Sequence, residues 1–233
     1  MKSAIRKNLN RFLDFVLPRF CVHCSKKLLT EEYFICTGCH EELKIPDDEF
    51  IKSEFNRKFA DKNIVSGFSS AFVFEKDGVL QSMIHSLKYN QNFKIGVYLG
   101  KLTALELQSK LDLWKPDMLV PVPLHTLKKT ERGYNQSFYI ANGISSVTGI
   151  PVSKSVIKRI RFTQSQTTMN LEERQENISG AFKCVDSKKV SGKKIILVDD
   201  VITTGATTNE AAASLLASGA EKIYAVSSAI AEY

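Results

Sequence analysis

The chain has 233 residues and is 43% apolar, which fits one domain of ordinary size with a smaller unit attached. No apolar run approaches the roughly 18 residues that a membrane-crossing helix needs, and no internal repeat or low-complexity tract is present. A formal net charge of +7 points toward anionic partners such as phosphates or nucleic acid, a modest signal because many enzymes are mildly basic.

Residues 1–20 place Ile5, Leu9, Phe12, Leu13 and Val16 on one face of a helix ending near Pro18. Such a face packs on its own protein or, alternatively, lies on a membrane surface. Asn8, Asn10, Arg11 and Asp14 interrupt any apolar core of an export signal. The expected location is therefore the cytosol, either free or peripheral at the inner face of the membrane.

Cys21-Val22-His23-Cys24 and Cys36-Thr37-Gly38-Cys39 follow, with eleven residues between the pairs. Each pair closes a small knuckle, and four thiolates complete a tetrahedron around structural zinc. Disulfides are disfavoured in a cytosolic chain, and a redox Cys-x-x-Cys comes singly. His23 and His40 are read as bystanders, and Cys184 as an ordinary strand residue. The charged, proline-containing residues 44–63 read as a connection to the main domain.

Next come a strand over 68–74, a helix over 78–88 with Val79, Leu80, Met83, Ile84 and Leu87 inward, and a helix over 93–111. The strand 118–124 ends on Pro121 and Pro123, since proline cannot continue a ladder. A basic loop with His125, Lys128, Lys129 and Arg132 leads through Gly133-Tyr134-Asn135-Gln136 into a helix reaching about Val147. Residues 152–157 read as a strand. The polar stretch 158–168 reads equally as a lid or a plain surface loop.

The most informative stretch is Lys193 to Thr208. Ile195-Ile196-Leu197-Val198 is a continuous apolar, mostly β-branched run of the kind buried on both faces of a parallel sheet. Asp199 and Asp200 stand at its carboxyl end, where such sheets bind ligands. Thr203, Thr204, Gly205, Ala206 and Thr207 carry no bulky side chain, so backbone N–H groups can approach an anion. Thr207 is expected to cap the following helix, with Glu210 completing a capping box. The helix N-terminus then points partial positive charge at the loop. The carboxylates repel phosphate and accept hydrogen bonds from sugar hydroxyls, so phosphate plus diol indicates a ribose 5-phosphate. A Walker B reading fails because neither Gly100-Lys101 nor Gly192-Lys193 is followed by Ser or Thr. The last strand is 222–229. Strands and helices alternate from 118 onward, giving an α/β fold with a mainly parallel sheet and right-handed crossovers.

Residues 195–207 look like the phosphoribosyl-diphosphate signature of type I phosphoribosyltransferases. With the two Cys-x-x-Cys pairs and Arg132-Gly133-Tyr134-Asn135-Gln136, nearly the whole chain resembles the ComF family, the ComFC/GntX-like competence proteins. The resemblance implies a type I phosphoribosyltransferase-like core over 61–233. Before it comes a zinc-ribbon-like module with leading helix and linker over 1–60. It also implies that the 125–136 loop faces pyrophosphate. Arg132 comes first there, its fork matching phosphate geometry, with Lys128 and Lys129 beside it. Thr163 to Gln166 resembles the family's Thr-x-x-Gln segment, before a helix holding Leu171, Arg174 and Asn177. The implied ligands are phosphoribosyl diphosphate with Mg²⁺ and single-stranded DNA, the latter along Lys128, Lys129, Lys158, Arg159 and Arg161. The implied role is uptake or processing of transforming DNA beside other DNA-uptake proteins. Two alternatives stay open: an active transferase acting on a nucleobase, and a regulatory module that senses the diphosphate. No carboxylate or histidine beside the motifs stands out as a base, so no catalytic residue is assigned.

Overall fold

The computed structural model describes residues 18–161 and 179–231, apart from the side chains of residues 127–129. The expected N-terminal helix and the segment with Leu171, Arg174 and Asn177 lie outside the described residues. The elements in chain order are α1 (Thr37–Glu41), α2 (Asp48–Phe59), β1 (Gly67–Phe74), α3 (Val79–Tyr89), α4 (Phe93–Glu106), α5 (Gln108–Trp114), β2 (Met118–Pro121), α6 (Thr126–Arg132) and α7 (Gln136–Thr148). They continue with β3 (Ile157–Arg159), β4 (Phe182–Cys184), α8 (Ser187–Val190), β5 (Lys194–Ile202), α9 (Ala206–Leu216) and β6 (Lys222–Ala231).

Four strands form a parallel sheet in the order β1-β6-β5-β2. Along β5, Ile196 and Val198 enter one core with Leu87, Leu99 and Ile140. Ile195 and Leu197 enter the other with Phe59, Val120 and Leu215. The side-chain period of two thus sends alternate residues to opposite layers, and the α/β architecture with both sheet faces covered follows. β3 and β4 pair antiparallel as a separate ribbon, which is tied to α9 by the Cys184 N–H donating to Ser214 Oγ at 2.9 Å. No described helix is long and apolar enough to cross a membrane.

Four sequence expectations change. Residues 44–63 are not merely a connection: they contain the twelve-residue α2, N-capped by Asp47, whose side chain accepts from the Phe50 N–H. The helix expected over 93–111 breaks at Leu107 into α4 and α5. The apolar pattern runs on through the break because Leu107 and Leu111 are both buried. The basic loop after β2 is largely the helix α6. Residues 152–157 make one bridge, Val152 to Leu119, before the chain turns into β3. Val156 and Ile157 are both buried in the second core, and Ile157 alone of 152–157 enters β3, where it pairs with Cys184.

Helices α4 and α7 cross with their backbones in contact. A Cβ added to Gly100 would lie 2.9 Å from the Gly143 Cα, and one added to Gly143 would lie 2.8 Å from the Gly100 Cα. Backbone cannot yield as a flexible side chain can, so overpacking here costs about 1–3 kcal/mol. Gly100→Ala and Gly143→Ala should each lower the melting temperature by roughly 3–10 °C in a thermal scan, whereas Gly38→Ala, with open space around it, should not.

Candidate functional site

Strand β2 stops at Pro121, paired to Val198, while β5 continues to Ile202. Past that point the flank of β5 is open, and a cleft of about 220 Å³ forms there. The cleft brings together Asp199, Asp200, Thr203, Thr204, Gly205, Ala206 and Thr207 with Arg132. The structure describes no side chain for Lys128 or Lys129; both belong to α6.

The loop is shaped by Gly205, whose φ of 76° is left-handed and suits glycine. Helix α9 therefore starts at Ala206, and its first backbone bond runs from the Asn209 N–H to the Gly205 carbonyl at 2.8 Å. This corrects the expected cap. Thr207 lies inside the first turn, and no side chain caps the helix through Gly205. Glu210 forms no capping box but accepts from the Gly180 N–H at 2.6 Å. The first-turn N–H groups of a helix have no intrahelical acceptor; here Ala206, Thr207 and Thr208 of that turn line the cleft, and the Ala206 N–H donates to Thr204 Oγ1 at 3.4 Å.

Helix α2 supports the loop from behind. Lys58 Nζ donates to the Thr203 carbonyl and pairs with Glu54 at 2.9 Å. The Lys58 carbonyl accepts from Asn209 Nδ2 at 2.8 Å. The Phe59 ring lies under Gly205, 3.0 Å from where a Cβ would stand. Nothing in the local pattern of 44–63 announced this, since the contact spans 145 residues.

The motif 132–136 has a structural role as well as a place in the cleft. Gly133 turns the chain at a φ of 77°, and the Tyr134 hydroxyl donates to the Leu87 carbonyl. Asn135 caps α7 by accepting from the Ser137 N–H at 3.1 Å, and its amide donates to the Val122 carbonyl at 3.0 Å. Arg132 Nη1 donates to Gln136 Oε1 at 3.2 Å, while its Nε is buried without a hydrogen-bond acceptor. That leaves donor capacity for an incoming anion.

Two further cations line the cleft. Lys88, at the end of α3, pairs with Asp200 at 2.8 Å. Arg159, on β3, lies over the Phe182 ring at 5.5 Å and faces the cleft. Sequence reasoning missed Lys88, which is distant in the chain and carries no motif. The expected basic path through Lys158, Arg159 and Arg161 divides at β3, whose alternation leaves Lys158 exposed and Arg159 half-buried.

The paired carboxylates split electrostatically. Burial, together with the charge of Asp200, pushes the Asp199 carboxyl up to about 7, against the opposing hydrogen bond from Ser137 Oγ at 2.9 Å. Burial also acts on Asp200, but the Lys88 ammonium holds it below the usual carboxylate range. A raised folded-state pKa favours the protonated, folded form. Its contribution is complete below the ordinary carboxylate value near 4 and is lost as pH rises through about 7. Asp199→Asn should therefore melt higher than the wild type at pH 8, by roughly 2–4 °C for each kcal/mol relieved, with the difference shrinking toward pH 5; paired melts at the two pH values read it out.

At the other end of the chain, the sulfurs of Cys21, Cys24, Cys36 and Cys39 all lie within 4.8 Å of one another. The Cys21–Cys39 and Cys24–Cys36 sulfur distances are both 3.6 Å. Burial opposes ionisation of Cys21, yet backbone donors at Cys24, Cys36 and His23 bring its thiol down to about 7. The four cysteines form a possible metal site.

A parallel sheet with an acidic pair, a small-residue loop and a helix N-terminus at the end of an inner strand is a phosphoribosyltransferase-like fold. The family model for the phosphoribosyl transferase domain matches residues 134–230. Competence protein F of Haemophilus influenzae is 29% identical over 214 residues, covering 87% of this chain and 93% of that protein. The DNA utilization protein YhgH of Escherichia coli is 32% identical over 147 residues, covering 62% of this chain and 64% of YhgH. Competence protein ComFC of Streptococcus pneumoniae is 24% identical over 204 residues, covering 84% and 87%. The chain is similar to these competence and DNA utilization proteins over most of its length.

Proposed function

We propose that the chain binds a phosphoribosyl group, as phosphoribosyl diphosphate with Mg²⁺, in the cleft at the end of β5. We further propose that it contacts single-stranded DNA and works on the cytosolic side in the uptake or use of DNA, as the names of its relatives suggest. The observation that carries the ligand assignment is the juxtaposition of Asp199 and Asp200 with the first turn of α9 in one cleft. The 203–207 loop offers N–H groups and hydroxyls to a 5-phosphate, the carboxylates offer acceptors to the ribose diol, and Arg132 offers its fork to the diphosphate. Lys128 and Lys129 are assigned to the same diphosphate. Mg²⁺ would neutralise diphosphate charge when bound.

Calorimetry with phosphoribosyl diphosphate, ribose 5-phosphate and inorganic phosphate, with and without Mg²⁺, tests this. Arg132→Gln should weaken diphosphate binding about 10–100-fold, the value of a charge-assisted hydrogen bond, and ribose 5-phosphate binding much less. Asp199→Asn with Asp200→Asn should keep phosphate affinity while losing preference for the sugar phosphates. If the wild type binds none of the set below millimolar, the assignment fails.

A second reading, turnover, has one observation of its own. Asp199 titrates near neutrality, the range suited to a general base. It would take the proton from a nucleobase nitrogen as that nitrogen forms a bond to C1 of the ribose and pyrophosphate departs. Pyrophosphate release against a panel of bases separates this from binding alone.

For the cysteine cluster we propose structural zinc. A tetrahedron with zinc–sulfur bonds of about 2.3 Å has sulfur–sulfur edges of about 3.8 Å, close to the spacing of the two measured pairs. Elemental analysis of protein purified without added metal should find about one zinc per chain. Cys39→Ser should lose it and loosen the N-terminal module, measured by proteolysis, while the sheet stays folded.

A further inference from the structure

A second cavity, about 290 Å³, opens between the first cysteine knuckle and α3. It is lined by Val22, Gln81, Ser82, His85, Ser86 and Asn90. The knuckle is fastened to the helix there by His23 Nδ1 and Ser82 Oγ, 3.0 Å apart. One turn apart on α3, the exposed rings of His85 and Tyr89 stand 4.8 Å centre to centre. Tyr89 is 58% exposed, so a face of its ring is open to stacking. Beyond Tyr89 the Arg132 guanidinium lies 5.9 Å from the ring centre, and Arg132 already lines the phosphoribosyl cleft. His85, Tyr89 and Arg132 thus make a continuous ledge from the second cavity to the first.

We propose that this ledge, with the cavity beside it, is the footing of unpaired bases of a single DNA strand. One base stacks at Tyr89 and His85, and its neighbour enters the cavity. This rests on the single-strand reading above and gives it a place outside the phosphoribosyl cleft. Aromatic faces read single strands because only unpaired bases offer their own faces for stacking, and a nearby guanidinium adds attraction. The cavity holds on the order of ten waters, room for one planar base. The amides of Gln81 and Asn90 with the hydroxyl of Ser86 supply donors and acceptors for a base edge. The first cleft is a poor seat for an internal deoxynucleotide. Asp199 and Asp200 repel a backbone phosphate, and deoxyribose lacks the diol they are suited to accept. A strand bound by this protein therefore needs a second surface.

The test compares a short thymidine oligonucleotide with an abasic oligonucleotide of equal length and phosphate count, by fluorescence anisotropy. The wild type should prefer the base-bearing strand by roughly tenfold or more. Tyr89→Ala should lose that preference while keeping its affinity for the abasic strand and its melting temperature, and Tyr89→Phe should retain the preference. His85→Ala should reduce it partially. Tyr89→Ala and His85→Ala that both keep the full preference would overturn the ledge and leave the single-strand reading standing. Equal wild-type affinity for both strands would also overturn the ledge, reducing the contact to phosphates. Failure of the wild type to bind either strand would sink the single-strand reading and the ledge with it.

Discussion

The molecule depends on one inner strand whose two faces are both buried and whose two flanks are unequally paired. β6 accompanies β5 as far as Ile202, but β2 leaves at Pro121. Where the partner ends, β5 has backbone donors to satisfy, and buried donors rarely stay unpaired. The two aspartates supply the acceptors locally: the Asp200 N–H donates to Asp199 Oδ1 at 2.9 Å, and the Val201 N–H to Asp200 Oδ1 at 2.8 Å. The carboxylates thus complete the strand as well as furnish the cleft, and the prolines that end β2 open the space in front of them.

The same crowding explains the distribution of charge. Two adjacent carboxylates in a poorly solvated corner do not ionise independently. Lys88 resolves the conflict by pairing with one of them, while burial beside that charge raises the carboxyl of the other. Lys88, Arg132 and Arg159 arrive from α3, α6 and β3 respectively, so the cleft's positive rim comes from three separate parts of the chain. The acidic pair therefore sits within a cleft whose cations approach from different directions.

What the sequence disclosed follows the same division. The β5 run, the acidic pair and the loop are consecutive residues, and the cysteine pairs have diagnostic spacing, so their coming together in one cleft and one cluster was legible. The strand-ending prolines were legible too, since a missing N–H is a local fact. Lys88 and the inward turn of Arg159 were not, because each is decided by packing between distant elements. The start of α9 was misplaced by one local detail. A hydroxyl at Thr207 makes a good cap in general, but the left-handed Gly205 begins the helix before it.

Helix α2 is part of neither unit alone. It follows the cysteine module in sequence, yet its last turn carries Lys58 and Phe59 beneath the 203–205 loop. The two units therefore lack a joint at which they could be exchanged like separate parts. A graft of a foreign cysteine module onto this core would have to preserve the length and pitch of residues 48–59, because a shift of one residue turns Lys58 by about 100° around the helix axis and carries it away from the carbonyl it holds. Insertions in that stretch are constrained by the contacts of Lys58 and Phe59 with the 203–205 loop.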